Sequence, residues 1–253
     1  MQQTSFPFIA VVHDDASTDG SADIIREYAE KYPDIIKPIF QSENQYSKRN
    51  GSIRRDLNQA CGDIKYHALC EGDDYWTDPH KLQKQVDWLE SHPEYSIVCC
   101  ASTVATYHEG GYTYSPCSYA DHDCDIPCEQ VIEEHGRMAQ TAGLVYRAAV
   151  LGEIPEESYI CGNGDYRIQL ISVLNGKMRY LSDTMTVYRS MTPGSWGARH
   201  HRKIGYEALH RLLSSFLTLT GAMNAYSQRQ HETAFHIAEA TFVAYYLRRQ
   251  SED

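Results

Sequence analysis

The sequence predicts an α/β fold in which helices cover both faces of a mostly parallel sheet. Short apolar runs alternate with amphipathic helical patterns through the first hundred residues, and this rhythm is typical of parallel strands joined by helices. Polar turns rich in Gly, Asp and Ser separate the two kinds of segment. Two longer amphipathic patterns, at roughly 204–220 and 228–249, predict a pair of helices at the end of the sequence.

The first part of the chain predicts four strands joined by helices. The strands are expected at residues 8–13, 35–40, 64–70 and 95–101. The first helix carries an apolar face and stops at Pro33. The residues of that face are Ile24, Ile25, Tyr28 and Ala29.

Two further helices complete this alternation. One spans residues 47–60 and ends at Gly62. The other opens at Asp78-Pro79, with the aspartate as N-cap and the proline in the first helical position. Its apolar stripe consists of Leu82, Val86 and Leu89.

The second part of the sequence is less regular. Residues 107–125 are rich in Gly, Tyr, Ser and Asp, which predicts a long surface loop. Further elements are expected as a strand at 140–146 with a short helix after it, a helix at 165–174, and short strands at 178–181 and 184–189. We expect one main domain over residues 1–195, with a loop and helical appendage over 196–253.

The composition is that of a globular protein with an acidic balance. Hydrophobic residues make up 42% and charged residues 23% of the 253 residues, and the formal net charge is −11. Proteins that bind nucleic acid usually present a basic face, so nucleic acid is not expected as a partner. A phosphate-bearing substrate would need a divalent cation, held by carboxylates, to bind this chain.

The eight cysteines predict free thiols in a reducing cytoplasm. The first residues lack the basic and apolar segments of a secretion signal, and no apolar stretch is long enough to cross a bilayer. A zinc site is the alternative for some of these cysteines, although their spacing fits no compact zinc pattern. Its ligands would come from Cys117, Cys124, Cys128, His108 and His122.

Two acidic segments directly follow predicted strands. They are Asp14-Asp15 and residues 71–74 (Glu-Gly-Asp-Asp), which we call the acidic loop. Ligands of open α/β sheets bind beyond the carboxyl ends of the strands, so the two segments are expected to meet at one sheet edge. Alternating carboxylates can converge on a hard cation that neutralises a diphosphate leaving group. The alternative is a solvated acidic turn.

These motifs resemble family 2 glycosyltransferases across residues 6–95, with weaker similarity to about Arg189. The matching segments are residues 13–21 (HDDASTDGS), residues 71–76 (EGDDYW), Pro79, Lys81-Leu82 and Gln85. The resemblance implies a GT-A fold, which is Rossmann-like and carries an aspartate cluster of DxD type. Glu71 departs from the family pattern, which more often has Asp there, so the metal is assigned first to Asp73.

The resemblance implies a metal-dependent, inverting enzyme that uses a nucleoside-diphosphate sugar, with uridine as the base. Asp15 would contact the nucleoside, and Asp14 and Asp19 would shape the turn, with plain helix capping as the alternative for the last. The residues implied to bind the nucleotide sugar are Asp14, Asp15, Asp19, Asp73 and Arg199. The residues implied to hold Mn²⁺ or Mg²⁺ are Asp73, Glu71, Asp74 and His200.

An inverting transfer also needs a base that deprotonates the acceptor hydroxyl. The family places a carboxylate at the start of a helix past the middle of the domain, and residues 161–166 (CGNGDY) match that location. The resemblance therefore implies Asp165 as the base. The alternatives are that Asp165 only caps its helix, or that Glu156 or Glu157 is the base. The basic run 199–203 is expected either to close over the diphosphate or to begin the next helix in solvent.

Family members usually open with a strand and a helix ahead of a strand like residues 8–13. Only seven residues precede that strand here. The expectation is a chain without the first strand and helix, weak or inactive as an enzyme, which self-associates through an exposed sheet edge.

The acceptor is expected to be a growing cell-surface polysaccharide or another glycan, free or lipid-linked. The apolar stripe of the last helix is expected either to lie on the inner membrane surface or to pack on its own domain or a twin subunit. Two other functions stay open. One is a sugar nucleotidyltransferase, which usually opens with a Gly-rich loop that is absent here. The other is a donor-binding module without catalysis.

Overall fold

The computed structural model describes residues 1–48, 52–152, 154–155, 157–158, 164–193, 195, 198 and 205–251. The chain forms two compact units. The smaller unit comprises Thr4–Ile64, and the larger comprises Met1–Gln3 together with Lys65–Asp253.

The smaller unit is a β-α-β arrangement followed by a helix. Strand β1 (Ala10–Asp14) pairs in parallel with β2 (Ile36–Phe40), and helix α1 (Ser21–Lys31) connects them. Helix α2 (Ser52–Cys61) ends at Gly62. The φ of Gly62 is +64°, in the left-handed region that glycine adopts without strain at the C-terminal ends of helices. The predicted strands, the first helix and the parallel pairing are therefore confirmed.

The apolar face predicted for α1 is only partly covered. Ile24 is 58% and Tyr28 is 48% exposed, and no residue of α1 is buried. The reason is that two strands form too narrow a surface to cover a helix face more than 100° wide.

The larger unit contains a mixed seven-stranded sheet. Its central path runs in the order β3-β8-β5-β9-β4, with β6 paired to β5 and β7 paired to β9. The strands are β3 (Tyr66–Ala68), β4 (Tyr75–Trp76), β5 (Tyr95–His108), β6 (Gly111–Cys117), β7 (Cys124–Ile126), β8 (Val145–Arg147) and β9 (Lys177–Ser190).

The predicted predominance of parallel pairs is wrong for this sheet. Only β5 and β9 pair in parallel, and its other pairs are antiparallel. Strands β3, β5 and β9 do run in one direction, but the short strand β8 lies between β3 and β5. The alternation of strands and helices along the chain predicts the direction of these strands. It does not predict that a later short strand inserts between two of them, because that depends on long-range pairing.

The loop predicted at residues 107–125 is also wrong. Strand β5 continues to His108 and turns back into β6, and β7 follows. Gly110 and Gly111 make the turn with φ of +110° and +134°, values that side-chain-bearing residues rarely adopt. Residues 112–115 alternate tyrosine with threonine or serine, a period-two pattern that fits an exposed strand.

Two predicted boundaries shift. The strands expected at 178–181 and 184–189 are one strand, β9, whose register slips between the partners of Cys100 and Ala101. Helix α3 begins at Lys81 rather than at Pro79. The Asp78 carboxylate accepts a hydrogen bond from the His80 amide at 2.7 Å, so it closes a turn before the helix.

Helices cover both faces of the sheet in the larger unit. They are α3 (Lys81–Ser91), α4 (Cys128–Glu133), α5 (Gly164–Leu174), α6 (Tyr206–Tyr226) and α7 (Glu232–Ser251). Ile97, Cys99 and Ala101 of β5 belong to the main core. The alternating residues Val98 and Cys100 face the side on which α3 packs.

The helical pair at the end of the sequence packs into the same core. The rings of Phe216 in α6 and Phe242 in α7 stack with centroids 3.7 Å apart, and Phe235 is fully buried. The predicted stripe therefore packs on its own unit through these residues, while Ile237 and Leu247 stay exposed. The division at residue 195 remains a prediction.

Two expectations about the whole chain can be compared with the described residues. Within them, no helix combines the length and apolar character needed to cross a membrane. The seven cysteines in that part of the chain are free thiols.

We predict that Gly176→Ala lowers the free energy of unfolding by about 1–3 kcal/mol. A Cβ at Gly176 would lie 2.9 Å from Ser96 Cβ and 3.0 Å from the carbonyl oxygen of Glu94, where β9 begins beside β5. Urea unfolding measures the change. Gly221→Ala in α6 is the control, because its Cβ would meet nothing within 4 Å. Equal stability of the two variants would contradict this packing.

Candidate active site

The acidic loop lies between β3 and β4, the two end strands of the central sheet path. It directly follows the carboxyl end of β3, as predicted. The amide of Asp74 donates to the carbonyl of Glu71 at 3.0 Å, which closes the loop into a turn. This turn brings the backbone of Asp74 back to that of Glu71.

Arg189, near the carboxyl end of β9, holds the acidic loop against the sheet. Its backbone amide donates to Asp74 Oδ1 at 2.8 Å. Its side-chain Nε donates to the carbonyl of Asp73, and its Nη2 lies 3.5 Å from the carbonyl of Gly72. In the sequence, Arg189 only marks the limit of the weaker family similarity. Its role was missed because nothing local shows that β9 ends beside this loop.

The acidic loop is electrostatically strained. Glu71 is an exposed residue, but desolvation of its carboxylate, with the charges of Asp74, Asp165 and Asp73, raises its pKa from 4.5 to about 7. Burial and the charge of Asp73 raise the pKa of Asp74 from 3.8 to about 6, although Arg189 opposes the shift. Burial and the same carboxylates raise the pKa of Tyr188. Like charges this close favour either protonation or a bound cation.

The other carboxylate oxygen of Asp74 is an orphan. Asp74 is 7% exposed, and its Oδ2 is buried without a hydrogen-bond partner among the described residues. An unpaired buried carboxylate oxygen beside two other acidic side chains suits a hard cation.

Asp165 stands in the first turn of α5, close enough that its charge raises the pKa of Glu71. The helix is anchored by its neighbour Tyr166, which is 2% exposed and donates its hydroxyl hydrogen to the carbonyl of Ile132 at 2.8 Å. The structure thus brings Asp165 near the acidic loop, although 91 positions separate Asp165 from Asp74 in the sequence. Residues 161–163 of the predicted motif, and the rival Glu156, lie outside the described residues.

A short 3₁₀ turn, Thr141–Gly143, supports the site from the other side. Thr141 hydrogen-bonds the Glu71 carboxylate and partly offsets the rise of its pKa. Trp76 Nε1 donates to the carbonyl of Ala142 at 2.9 Å, and Gln85 Nε2 donates to that of Gly143 at 2.8 Å. Trp76 and Gln85 matched the family motifs, but their supporting role was not predicted.

Lys81 is a further residue whose environment the sequence did not predict. It is fully buried, and its Nζ lies 4.4 Å from the centre of the Trp76 ring. Burial lowers the pKa of this amine to about 8. A cation over an indole face is a favourable contact, so Lys81 fixes Trp76 and, through it, the turn that carries Thr141.

The predicted nucleotide-binding aspartates lie in the smaller unit, after β1. Both oxygens of Asp15 accept backbone hydrogen bonds, from Gln45 at 2.7 Å and from Tyr46 at 2.9 Å. Asp14 is 5% exposed, and its Oδ2 accepts from the Ser17 amide at 3.3 Å. The expected meeting of these residues with the acidic loop remains a prediction.

Asp19 lies one residue before Gly20, which is the N-cap of α1 and makes no side-chain capping bond, so Asp19 closes the turn that leads into the helix. Its Oδ1 accepts from the amide of Ser21, the first residue of α1, at 2.9 Å. This bond lowers the pKa of Asp19. An acidic group at a helix N-terminus stabilises the helix through its free amides.

Two other predicted ligand sets have different outcomes. Arg199, His200 and the rest of the basic run 199–203 lie outside the described residues. In the part of the chain that is described, no three His, Cys, Asp or Glu side chains form a ready-made metal site. The zinc alternative is not supported there, since Cys117 contacts Gln140 and Cys128 contacts His231.

The sequence matches Glycosyl transferase family 2 over residues 1–154. An uncharacterized protein of Mycobacterium tuberculosis is 32% identical over 90% of this chain and 64% of its own length. An uncharacterized glycosyltransferase of Nostoc sp. is 27% identical over 87% of this chain and 70% of its own length. The chain therefore spans somewhat less than two thirds of the mycobacterial relative.

The fold is also similar to a solved glycosyltransferase structure. S. aureus TarS, residues 1–349 in complex with UDP, superimposes with a TM-score of 0.54 and 17% identity. The similarity covers 92% of this chain and 67% of the TarS chain. At this identity the likeness concerns the fold, and it confirms the predicted GT-A architecture.

We predict that Asp74→Asn stabilises the metal-free protein at pH 8 by about 1–3 kcal/mol. The folded pKa of about 6 lies above the ordinary 3.8, so the unfolded chain releases this proton first. Stability therefore falls as pH rises from about 4 to 6, and the asparagine, which still accepts from Arg189, removes that contribution. Urea unfolding with a chelator at pH 4.5 and pH 8 measures it.

The control for that measurement is Asp87→Asn, because Asp87 is an exposed carboxylate on α3. It should retain the pH dependence of the wild type. A wild-type pH dependence in Asp74→Asn would mean that Asp74 carries no electrostatic strain.

We predict that Asp15→Ala speeds hydrogen exchange at the amides of Gln45 and Tyr46 by about tenfold or more. The carboxylate binds both amides, and a charge-assisted hydrogen bond contributes about 1.5–3 kcal/mol. Hydrogen–deuterium exchange read by NMR detects the change, with the exposed Asp34→Ala as the control. Unchanged protection at both amides would refute the anchoring role of Asp15.

Proposed function

Because the chain belongs to glycosyl transferase family 2, we propose that it transfers a sugar from a uridine-diphosphate sugar to an acceptor hydroxyl with inversion. The acceptor is a glycan or a lipid-linked sugar in cell-surface polysaccharide synthesis. The family match also favours transfer over the nucleotidyltransferase alternative.

One observation carries the proposal: Asp165 lies within electrostatic reach of an acidic loop whose carboxylates repel one another. An inverting transfer needs two functions at one place. One function is to stabilise the negative charge of the diphosphate leaving group. The other is to act as the base that deprotonates the acceptor hydroxyl. Glu71, Asp73 and Asp74 fit the first function once a cation is bound, and Asp165 fits the second.

The donor set fits Mn²⁺ or Mg²⁺. Asp73 and Asp74 would hold the ion, with the orphan Oδ2 of Asp74 as a free ligand atom and Glu71 as a further or water-mediated ligand. The protein would supply only these few ligands. This fits Mg²⁺ in particular, which often takes one or two carboxylates from the protein and completes its coordination with phosphates and water. When bound, the ion supplies positive charge that stabilises the departing diphosphate.

The reaction then needs few groups from the protein. The Asp165 carboxylate accepts the proton of the acceptor hydroxyl while that oxygen forms a bond to the anomeric carbon. The bond from the anomeric carbon to the diphosphate breaks on the opposite face, which inverts the centre. Arg189 and Thr141 keep the acidic loop in place, and they act through it rather than on the reacting atoms.

The smaller unit supplies the nucleoside contacts in this proposal. Asp15 binds the ribose or base through the lone pairs that Gln45 and Tyr46 leave open, and Asp14 and Asp19 shape the turn around it. Arg199 and His200 act on the diphosphate side, as the resemblance implies. UDP bound to TarS, whose fold is similar, supports the choice of nucleotide.

We predict that Asp165→Asn lowers the rate of UDP release from UDP-sugars by about 100-fold or more, because it removes the base. Water replaces the acceptor in this assay, so the acceptor need not be known. The affinity for UDP should stay within about threefold, because Asp165 does not contact the nucleotide. The wild type is assayed with UDP-glucose, UDP-galactose and UDP-N-acetylglucosamine.

Asp87→Asn is again the control and should keep the wild-type rate. Undiminished UDP release by Asp165→Asn would remove Asp165 as the base. UDP binding without any turnover by the wild type would favour a donor-binding module instead.

A further inference from the structure

The hairpin formed by β5 and β6 presents three tyrosines on one face. Tyr107 and Tyr112 are directly paired across the strands, and Tyr114 is paired with Ala105, two residues from Tyr107. Because side chains alternate along a strand, Tyr107, Tyr112 and Tyr114 share a face. The opposite face carries smaller polar groups, where His108 contacts the Thr113 hydroxyl at 3.0 Å.

Two of these tyrosines are exposed, and Tyr112 between them is half-buried. Tyr114 is 65% and Tyr107 is 36% exposed, and the rings of Tyr107 and Tyr112 meet edge to face with centroids 5.5 Å apart. The edge-to-face contact leaves ring surface open to solvent while fixing the two rings relative to each other. We call this set the tyrosine face.

The strand register connects the tyrosine face to the acidic loop. Ala105 of β5 pairs with Tyr114 on one side and with Arg189 on the other. The side chains of Arg189 and Tyr114 therefore lie on the same face of the sheet, two strand spacings or about 10 Å apart. The side chain of Arg189 hydrogen-bonds the carbonyls of the acidic loop, so the tyrosine face begins beside that loop.

The chemistry of the tyrosine face selects its occupant. Its residues carry no formal charge in a protein of net charge −11, so it offers no electrostatic attraction to a basic or an acidic partner. Tyrosine combines a flat apolar ring with a polar hydroxyl. A pyranose matches that combination, since its C–H groups pack on an aromatic ring while its hydroxyls form hydrogen bonds.

We propose that the tyrosine face binds the carbohydrate acceptor and directs its terminal hydroxyl toward the acidic loop and Asp165. This inference rests on the proposed function, narrows its acceptor to a chain of several sugars, and adds the surface that binds this chain. Tyr114 and Arg189 are about 10 Å apart. The terminal sugar of the acceptor would therefore react at the acidic loop while the sugars that precede it in the chain lie on the tyrosine face. The acceptor is therefore an oligosaccharide chain rather than a single sugar.

The test uses an array of bacterial surface oligosaccharides probed with the fluorescently labelled full chain in the presence of UDP and Mn²⁺. Tyr112→Ala and Tyr114→Ala should each lower the bound signal by about tenfold. Tyr112→Phe and Tyr114→Phe keep the ring and should stay within about threefold of the wild type. Tyr206→Ala is the matched control, because Tyr206 is a 77% exposed tyrosine on α6.

Titration with UDP separates this inference from the proposed function. The alanine variants should bind UDP like the wild type, which also shows that they are folded. Wild-type binding to UDP but to no oligosaccharide, or undiminished array binding by the alanine variants, would overturn the tyrosine face alone. Failure of the wild type to bind UDP would count against the proposed function itself.

One more outcome would reassign the face. If sedimentation shows that the wild type self-associates and that Tyr114→Ala is monomeric with unchanged glycan binding, the tyrosine face contacts a second copy and not an acceptor.

Discussion

The contact between Arg189 and the acidic loop is the interaction on which the candidate site depends. Three carboxylates in a four-residue segment repel one another, as the raised pKa values of Glu71 and Asp74 reflect. This repulsion would push the carboxylates away from one another unless other groups fixed the conformation of the loop. Arg189 fixes it with its backbone amide and its guanidinium, and β9 in turn fixes Arg189 through its long pairing with β5. The centre of the sheet therefore determines where the carboxylates lie.

The same strand pairing organises the surroundings of the site. Antiparallel pairing of β4 with β9 places Tyr75 and Trp76, which follow the acidic loop, opposite Val187 and Thr186. The continuation of β5 beyond the core carries the tyrosine face outward from the same edge. On the side of the 3₁₀ turn, the buried side chains of Lys81 and Gln85 and the half-buried Trp76 connect α3 to the turn that carries Thr141. Such preorganisation is what a site for charged substrates requires, because its dipoles must not rearrange during the reaction.

Local signals in the sequence predicted a large part of this structure. The apolar runs, the glycine at the end of α2 and the stripe of α3 are short-range features, and the corresponding elements formed close to the predicted positions. The acidic loop was identified because carboxylates directly after a strand are a local pattern with a chemical meaning. The family resemblance added Asp165, which no spacing rule connects to the loop.

Long-range pairing accounts for what the sequence did not predict. Nothing near β8 indicates that this three-residue strand inserts between β3 and β5, so the predicted parallel sheet is in fact mixed. The tyrosine-rich segment resembled a loop because its glycines and polar residues outweighed a weak alternation. Lys81 entered the sequence analysis only as part of a family motif, and its burial against Trp76 and beside neighbouring thiols was not predicted.

Calorimetric titration of UDP, with and without Mn²⁺, tests most directly whether the acidic loop is a cation-dependent donor site. We expect UDP to bind only when Mn²⁺ is present, and Asp73→Ala to lose this binding while the exposed Asp87→Ala keeps it. Binding of equal strength without Mn²⁺, or full binding by Asp73→Ala, would contradict the assignment of the acidic loop as the place where a cation joins the protein to the diphosphate.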